Sequence, residues 1–233
     1  MIFKCDIGII GAMDLEVEGL ISKIESCKSA EISGVNFKYG EIFGKRVVVA
    51  RCGVGKVFAS LCAEAMILNF APSLLVNSGV GGALDGNLRP LDIVFADRLV
   101  QHDMDTSPLG DPKGLISGIN KVYFETDDKA VSILCECAES LKLSYTVGTI
   151  ATGDRFVCSM TEKERIVDEF DAIACEMEGG AIAQVAFINR TPFAVIRAIS
   201  DSANGEANMD YFEFLPKAAN VSFALTLDLI KKY

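Results

Sequence analysis

The sequence predicts an α/β fold in which helices cover both faces of a sheet, and three observations lead there. The 233 residues, half of them hydrophobic, suffice for one substantial core, and no shift in composition marks a second unit, so residues 1–233 read as a single domain. Short apolar runs recur from Ile7 to Ala12, Val47 to Ala50, Leu74 to Val76, Ile93 to Ala96, Tyr145 to Ala151 and Phe193 to Ile199. Their unbroken hydrophobicity is that of strands buried on both sides. Between and after them stand apolar residues at three- and four-residue spacing, such as Val131, Leu134, Cys135, Ala138 and Leu141, then Phe214, Ala218, Val221, Leu225 and Leu229. That spacing puts one apolar stripe on a helix.

Composition removes several classes of function. A formal charge of −10 and a pI near 4.7 leave no cationic surface to displace counterions, so nucleic acid is not expected as a partner. The opening "MIFKCDIGIIGAM" has a short apolar run and an early Asp6, and reads as a first strand rather than a secretion signal. No stretch approaches the length that spans a bilayer, so no membrane partner is expected. Eight scattered cysteines without a CxxC pair fit reduced thiols in the cytoplasm. With His102 the sole histidine, a histidine zinc site lacks ligands, and no metal or organic cofactor is implied. Carboxylates are then the natural carriers of chemistry.

In open α/β sheets ligands bind beyond the carboxyl ends of strands, so the residues after each apolar run are the candidates for a site. "GIIGAMDLEVE", Gly8 to Glu18, has no glycine where a dinucleotide fingerprint needs one, at Ile10. It delivers Asp14, Glu16 and Glu18 to a helix start, where a solvated acidic first turn is the plain alternative. "RCGVGKV", Arg51 to Val57, has the Gly-Lys pair of a phosphate loop but Val57 where the hydroxyl should stand. A glycine turn opening a helix that buries Phe58, Leu61, Cys62 and Ala65 accounts for it.

"LLVNSGVGGAL", Leu74 to Leu84, reads as a strand emptying into a glycine-rich turn whose backbone can approach a ligand. The stretch "TSPLGDPKGLISG", Thr106 to Gly118, reads as one long loop, of the kind that forms lids or interfaces. "ATGDRFVCS" sets Phe156 beyond a strand, where it can lie on a planar base or simply join the core. "ACEMEGGAIAQV", Ala174 to Val185, places Glu176 and Glu178 where an apolar run becomes a helix, and spacing alone cannot choose between them. "VIRAISDSA" ends a nearly unbroken apolar strand at Asp201, where desolvation can raise a carboxyl pKa. A helix cap at Ser200, Asp201 or Ser202 is the alternative.

In combination these motifs, with "DIVFAD" and "HDMD" between them, resemble the purine nucleoside phosphorylase/nucleosidase superfamily along essentially the whole chain. Within it they are most similar to the bacterial 5′-methylthioadenosine/S-adenosylhomocysteine nucleosidases. The resemblance implies a three-layer α/β/α sandwich with a mixed central sheet. It also implies hydrolysis of an N-glycosidic bond, releasing adenine and a 5′-thio-substituted ribose, as in methionine salvage. By the same resemblance Glu16 activates water, Met177 packs near the ribose, Glu178 accepts from its hydroxyls, and Asp201 handles the proton on purine nitrogen seven. Ser200 and Arg197 support Asp201; Phe156 stacks on adenine and Val157 reads its edge; Val80 and Gly81 belong to the substrate's glycine turn. Leu109 falls where relatives present an aromatic residue to the partner subunit's pocket, and a homodimer is implied.

This set makes physical sense. Breaking the bond builds an oxocarbenium-like sugar, so one acid should protonate the departing purine while another, ionised, takes a proton from water. A desolvated, protonated Asp201 and an ionised Glu16 would divide that work, and a helix N-terminus would keep Glu178 ionised. Phosphorolysis would need cations in the early glycine loops, and the first offers Glu16 instead. A phosphorolytic enzyme, a nucleoside-storage protein on the same fold, and hydrolysis of 6-amino-6-deoxyfutalosine stand as alternatives or additions. Val80, where relatives carry serine, and Leu109 leave the preference for the 5′-substituent unread.

Overall fold

The computed structural model describes residues 3–201 and 207–233, with side chains of 207–210 left aside; Ser202 lies outside the described residues. In chain order the elements are β1 (Ile7–Gly11), α1 (Asp14–Ile21), β2 (Glu25–Ile32), β3 (Val35–Ile42), β4 (Lys45–Arg51), α2 (Lys56–Phe70), β5 (Leu74–Ala83), β6 (Ile93–Gln101), β7 (Tyr123–Glu125), α3 (Asp128–Ser140), β8 (Tyr145–Thr152), α4 (Met160–Phe170), β9 (Ala172–Glu176), α5 (Gly179–Ile188), β10 (Phe193–Asp201) and α6 (Ala207–Lys232). The fold is the mixed α/β type that the sequence predicts.

All the strands belong to one sheet, in the order β10-β6-β8-β9-β5-β1-β4-β3-β2, with β7 on β6. Because β5 also pairs with β10, five of the strands close on themselves. Strands β1, β4, β5 and β10 run parallel, whereas β9 meets β5 antiparallel through only two residue pairs, Gly82 with Cys175 and Ala83 with Ala174. Those pairs lie at the carboxyl ends of both strands. Two oppositely directed groups of strands therefore overlap at their ends, and the residues that follow β1, β8 and β9 are drawn to the tips of β5 and β10.

Two layers of helices seal the sheet. Val17 and Leu20 of α1, Ala130 and Leu134 of α3, and Leu225 and Leu229 of α6 pack with Ile9, Val49, Val76 and Ile196. On the other side Cys62, Met66 and Phe70 of α2 and Ile182 and Ala186 of α5 pack with Ile10, Val48 and Leu75. Strand β10 is buried at all nine positions, which is why its sequence reads as an apolar block.

Several expectations need correction. The glycine-rich segment after Val76 is not a turn: β5 continues to Ala83, and Gly79 and Gly82 make room for the carboxylates of Glu16 and Asp201. Helix α2 buries Ala59, Cys62, Ala63 and Met66, while Phe58 and Leu61 face outward. Hydrophobicity alone could not orient a helix that is apolar almost all round. Thr146 and Val147 in the first half of β8 are exposed, so that strand is doubly covered only from Thr149 onward. Leu141 caps α3 and is exposed. The β2–β3 hairpin escaped notice because β2 is polar and largely exposed.

Candidate active site

Glu16 is the one acid of the first helix that turns inward. Asp14 and Glu18 are exposed, Asp14 pairing with Arg51, but the Glu16 carboxylate folds back over the β1–α1 turn. Its Oε2 accepts the backbone N–H groups of Ala12 at 2.7 Å and Met13 at 2.9 Å, and its Oε1 accepts that of Val80 at 3.1 Å. A Cβ on Gly79 would sit 2.5 Å from Oε1, so the bare glycine leaves the carboxylate its present place. Burial raises the Glu16 pKa against the pull of Arg197 and the three N–H groups.

The two glutamates at the end of β9 part company. Glu176 turns into the protein, where the N–H groups of Glu178 at 3.0 Å and Gly179 at 2.7 Å donate to its Oε2. Arg197 and the Thr152 hydroxyl also bond to it. Burial alone would raise its pKa, but Arg197, Thr152 and the two amides outweigh it and bring the carboxyl below its usual value. The N-terminus of α5 thus holds Glu176 and not Glu178, contrary to the expectation from position alone.

Glu178 instead reaches across to α2, where the Gly55 N–H donates to its Oε1 at 2.8 Å. Burial, and then repulsion from Glu176, push its pKa up to about 7. The neighbouring amide of Lys56 donates to Asp154 Oδ1 at 2.8 Å, and the Lys56 ammonium pairs with Asp103 at 2.6 Å. The groups that resemble a phosphate loop in the sequence are therefore engaged by the protein's own carboxylates.

Asp201 ends β10 beside Gly82 of β5, whose missing side chain makes space for the carboxylate. The Ser200 hydroxyl donates to its Oδ1 at 2.9 Å. Its setting is not purely apolar, as the sequence suggests: the ammonium of Lys163, from α4, lies 3.9 Å from Oδ2, and both side chains are buried. Arg197 does not support Asp201 either. Its guanidinium donates to Glu176, to the Asn77 side chain and, at 2.9 Å, to the Ile196 carbonyl.

These residues enclose one cavity, with about 570 Å³ of empty space when the open solvent at its mouth is included. Glu16, Val80, Gly81, Phe156, Val157, Glu176, Met177, Glu178, Ser200 and Asp201 all line it. Arg197 lies behind it, and Leu109, 84% exposed in a short 3₁₀ turn, is absent from its wall. Phe156 is no core residue: it is exposed at the rim and meets Tyr211 edge to face, with ring centroids 5.5 Å apart. Sequence reasoning missed Tyr211 and Lys163. Lys163 had a signal, since it falls on the stripe of Ile166 and Phe170 that α4 buries.

Comparison with known proteins identifies the family. Residues 6–231 match the family model described as the phosphorylase superfamily. A 5′-methylthioadenosine/S-adenosylhomocysteine nucleosidase of Shewanella halifaxensis is 36% identical over 97% of this chain and 99% of its own length. An aminodeoxyfutalosine nucleosidase of Campylobacter jejuni is 33% identical over 97% of this chain and 98% of its own. Among solved structures, a Helicobacter pylori MTAN mutant with 5′-methylthioadenosine in the active site superposes with a TM-score of 0.94 at 33% identity, covering 99% of this chain and 100% of that one. A futalosine hydrolase of the same species gives 0.93 at 35%, covering 100% and 99%. The chain belongs to the phosphorylase superfamily, and within it to the nucleosidases, enzymes that hydrolyse N-glycosidic bonds.

Proposed function

We propose that this enzyme hydrolyses 5′-methylthioadenosine and S-adenosylhomocysteine to adenine and the 5′-thio-substituted ribose, the step that feeds methionine salvage. The observation that carries the reading is the convergence of Glu16, Glu178 and Asp201 on one cavity. Glu16 takes a proton from the attacking water; Glu178, once ionised, accepts from the ribose hydroxyls; Asp201 gives a proton to purine nitrogen seven. Phe156 offers a face to adenine, with Val157 beside its edge, and Met177 packs against the sugar. Glu176 and Arg197 hold this frame from behind, and the whole chain acts as one catalytic unit.

Water is favoured over phosphate as nucleophile because Arg51 and Lys56, which flank the glycines of the second loop, are paired with Asp14 and Asp103, and Glu16 would repel a dianion. Aminodeoxyfutalosine is a second substrate of the same site, a reading favoured by the similarity to proteins named for that activity. Pure protein in phosphate-free buffer should release adenine from methylthioadenosine, S-adenosylhomocysteine and aminodeoxyfutalosine, followed in parallel. Release that required added phosphate would replace hydrolysis by phosphorolysis, and binding without release would leave a storage protein.

The enzyme acts in the cytoplasm as a homodimer. Val57, Leu61 and Leu68 form an exposed apolar stripe along α2, beside Phe58, which supports a partner seated there. Leu109 then serves the partner's pocket. Sedimentation equilibrium should give twice the chain mass, and Leu61→Asp should lower it to one.

A further inference from the structure

The base that departs needs a proton, and the side chain behind Asp201 is built to supply one. Lys163 is 2% exposed, in the second turn of a helix whose cap, Ser159, accepts from the Glu162 amide. Burying an ammonium is costly without a compensating partner, and the carboxylate oxygen at 3.9 Å belongs to Asp201. On its other side Lys163 lines a second, solvent-open groove, between α4 and the segment of Leu88, Arg89 and Pro90. One residue thus stands between the inner wall of the substrate cavity and bulk water. A lysine stem is long and flexible enough to close the remaining ångström.

We propose that Lys163 is a positioning residue for the catalytic proton: with Asp201 it forms a pair that holds one transferable proton, drawn from the groove and delivered to the base. The inference rests on the nucleosidase reading above. In the pair's ammonium–carboxylate form the proton is on Nζ; in its amine–carboxylic acid form it is on Asp201. Exclusion of water by substrate favours the uncharged form. Asp201 then passes its proton to nitrogen seven as the C1′–N9 bond breaks and its electron pair enters the purine. Water adds to C1′ and gives its proton to Glu16. The neutral amine of Lys163 regains a proton from the groove, and the carboxyl of Glu16 releases one to solvent.

Other titratable groups face the pair and do not replace it. Cys175 of β9 is a thiol whose pKa burial pushes up to about 12, and Tyr211 of α6 is raised by burial as well. Glu176 is committed to Arg197, and Glu162 pairs with Arg155 at 3.3 Å. Glu164 and Arg89 lie at the groove. Among the described residues, Lys163 is the cation paired with Asp201.

The pH dependence of kcat for adenine release tests the proposal. A lone carboxylic acid loses its proton at a far lower pH than a pair containing an amine. Lys163→Met should therefore work within several-fold of wild type near pH 5 and lose turnover as pH rises, its basic limb displaced downward by about one unit or more. Lys163→Arg, which keeps the charge but has no proton to give, should be slow at every pH. A uniform drop in Lys163→Met with an unchanged limb, or wild-type behaviour of Lys163→Arg, would overturn the proposal. Lys163→Gln is a second neutral variant should the methionine variant fail to fold, judged by thermal melting. Failure of the wild-type enzyme to release adenine would instead refute the nucleosidase reading.

Discussion

The backbone N–H of Gly55 donates to Glu178 Oε1 at 2.8 Å, joining the start of α2 to the start of α5 across the substrate cavity. Glu178 otherwise lies among carboxylates, and its pKa of about 7 follows from burial and from Glu176 beside it. In the proposed role Glu178 accepts from the ribose hydroxyls, which the ionised carboxylate does with both oxygens. The KM for methylthioadenosine should therefore fall as pH rises through 7, and in Glu178→Gln that dependence should disappear along with most of the affinity. Steady-state kinetics between pH 5.5 and 8.5 would check both.

The same shift makes a prediction about stability. A carboxyl raised on folding binds its proton more tightly in the native state, so its contribution is fully present below its unfolded value of 4.5 and disappears as pH rises through about 7. At 1.36 kcal/mol per unit this is an upper bound of roughly 3 kcal/mol. Urea unfolding of wild type and Glu178→Gln at pH 5 and pH 8 should show the variant gaining on the wild type at the higher pH.

The buried pair of Arg197 and Glu176 predicts a strong asymmetry. Arg197→Met leaves the Glu176 carboxylate in the interior without its cation, at a cost of about 3–5 kcal/mol. The double variant Arg197→Met/Glu176→Gln removes both charges and should recover part of that loss. Chemical denaturation of the single and double variants measures the coupling.

Gly79 shapes the place of the proposed base. A methyl there would meet Glu16 Oε1 at 2.5 Å, so the carboxylate held by three amides would have to shift. Gly79→Ala should fold but lose about 10²-fold or more in kcat, the scale of a lost general base. Adenine binding, by contrast, should change little in a calorimetric titration.

The apolar runs marked strands because double coverage leaves no polar face to hide them, and β10 shows this at every position. The same logic fails for β2, whose side chains are mostly solvated, and for α2, where apolar residues point both ways. Carboxylates seldom interrupt such segments without a task, which marks the acids at or just beyond the ends of β1, β9 and β10 as candidates; the choice of Glu16, Glu178 and Asp201 among them is what the family resemblance implies. What the linear pattern could not convey is which atoms meet. The α5 amides bind Glu176, those of α2 bind Glu178 and Asp154, and Lys163 reaches Asp201 from an element 38 positions earlier. Such partnerships are set by β9 crossing the tip of β5, a contact of two residue pairs that no local periodicity records.

The account depends most on Glu16 as the group that draws a proton from water while Glu178 holds the sugar and Asp201 serves the base. Single-turnover release of adenine from methylthioadenosine by Glu16→Gln, with binding measured on the same sample, tests it most directly. The predicted result is a fall of about 10²–10⁴-fold in the chemical step with affinity nearly unchanged. Chemistry at the wild-type rate would place the base elsewhere and contradict the account.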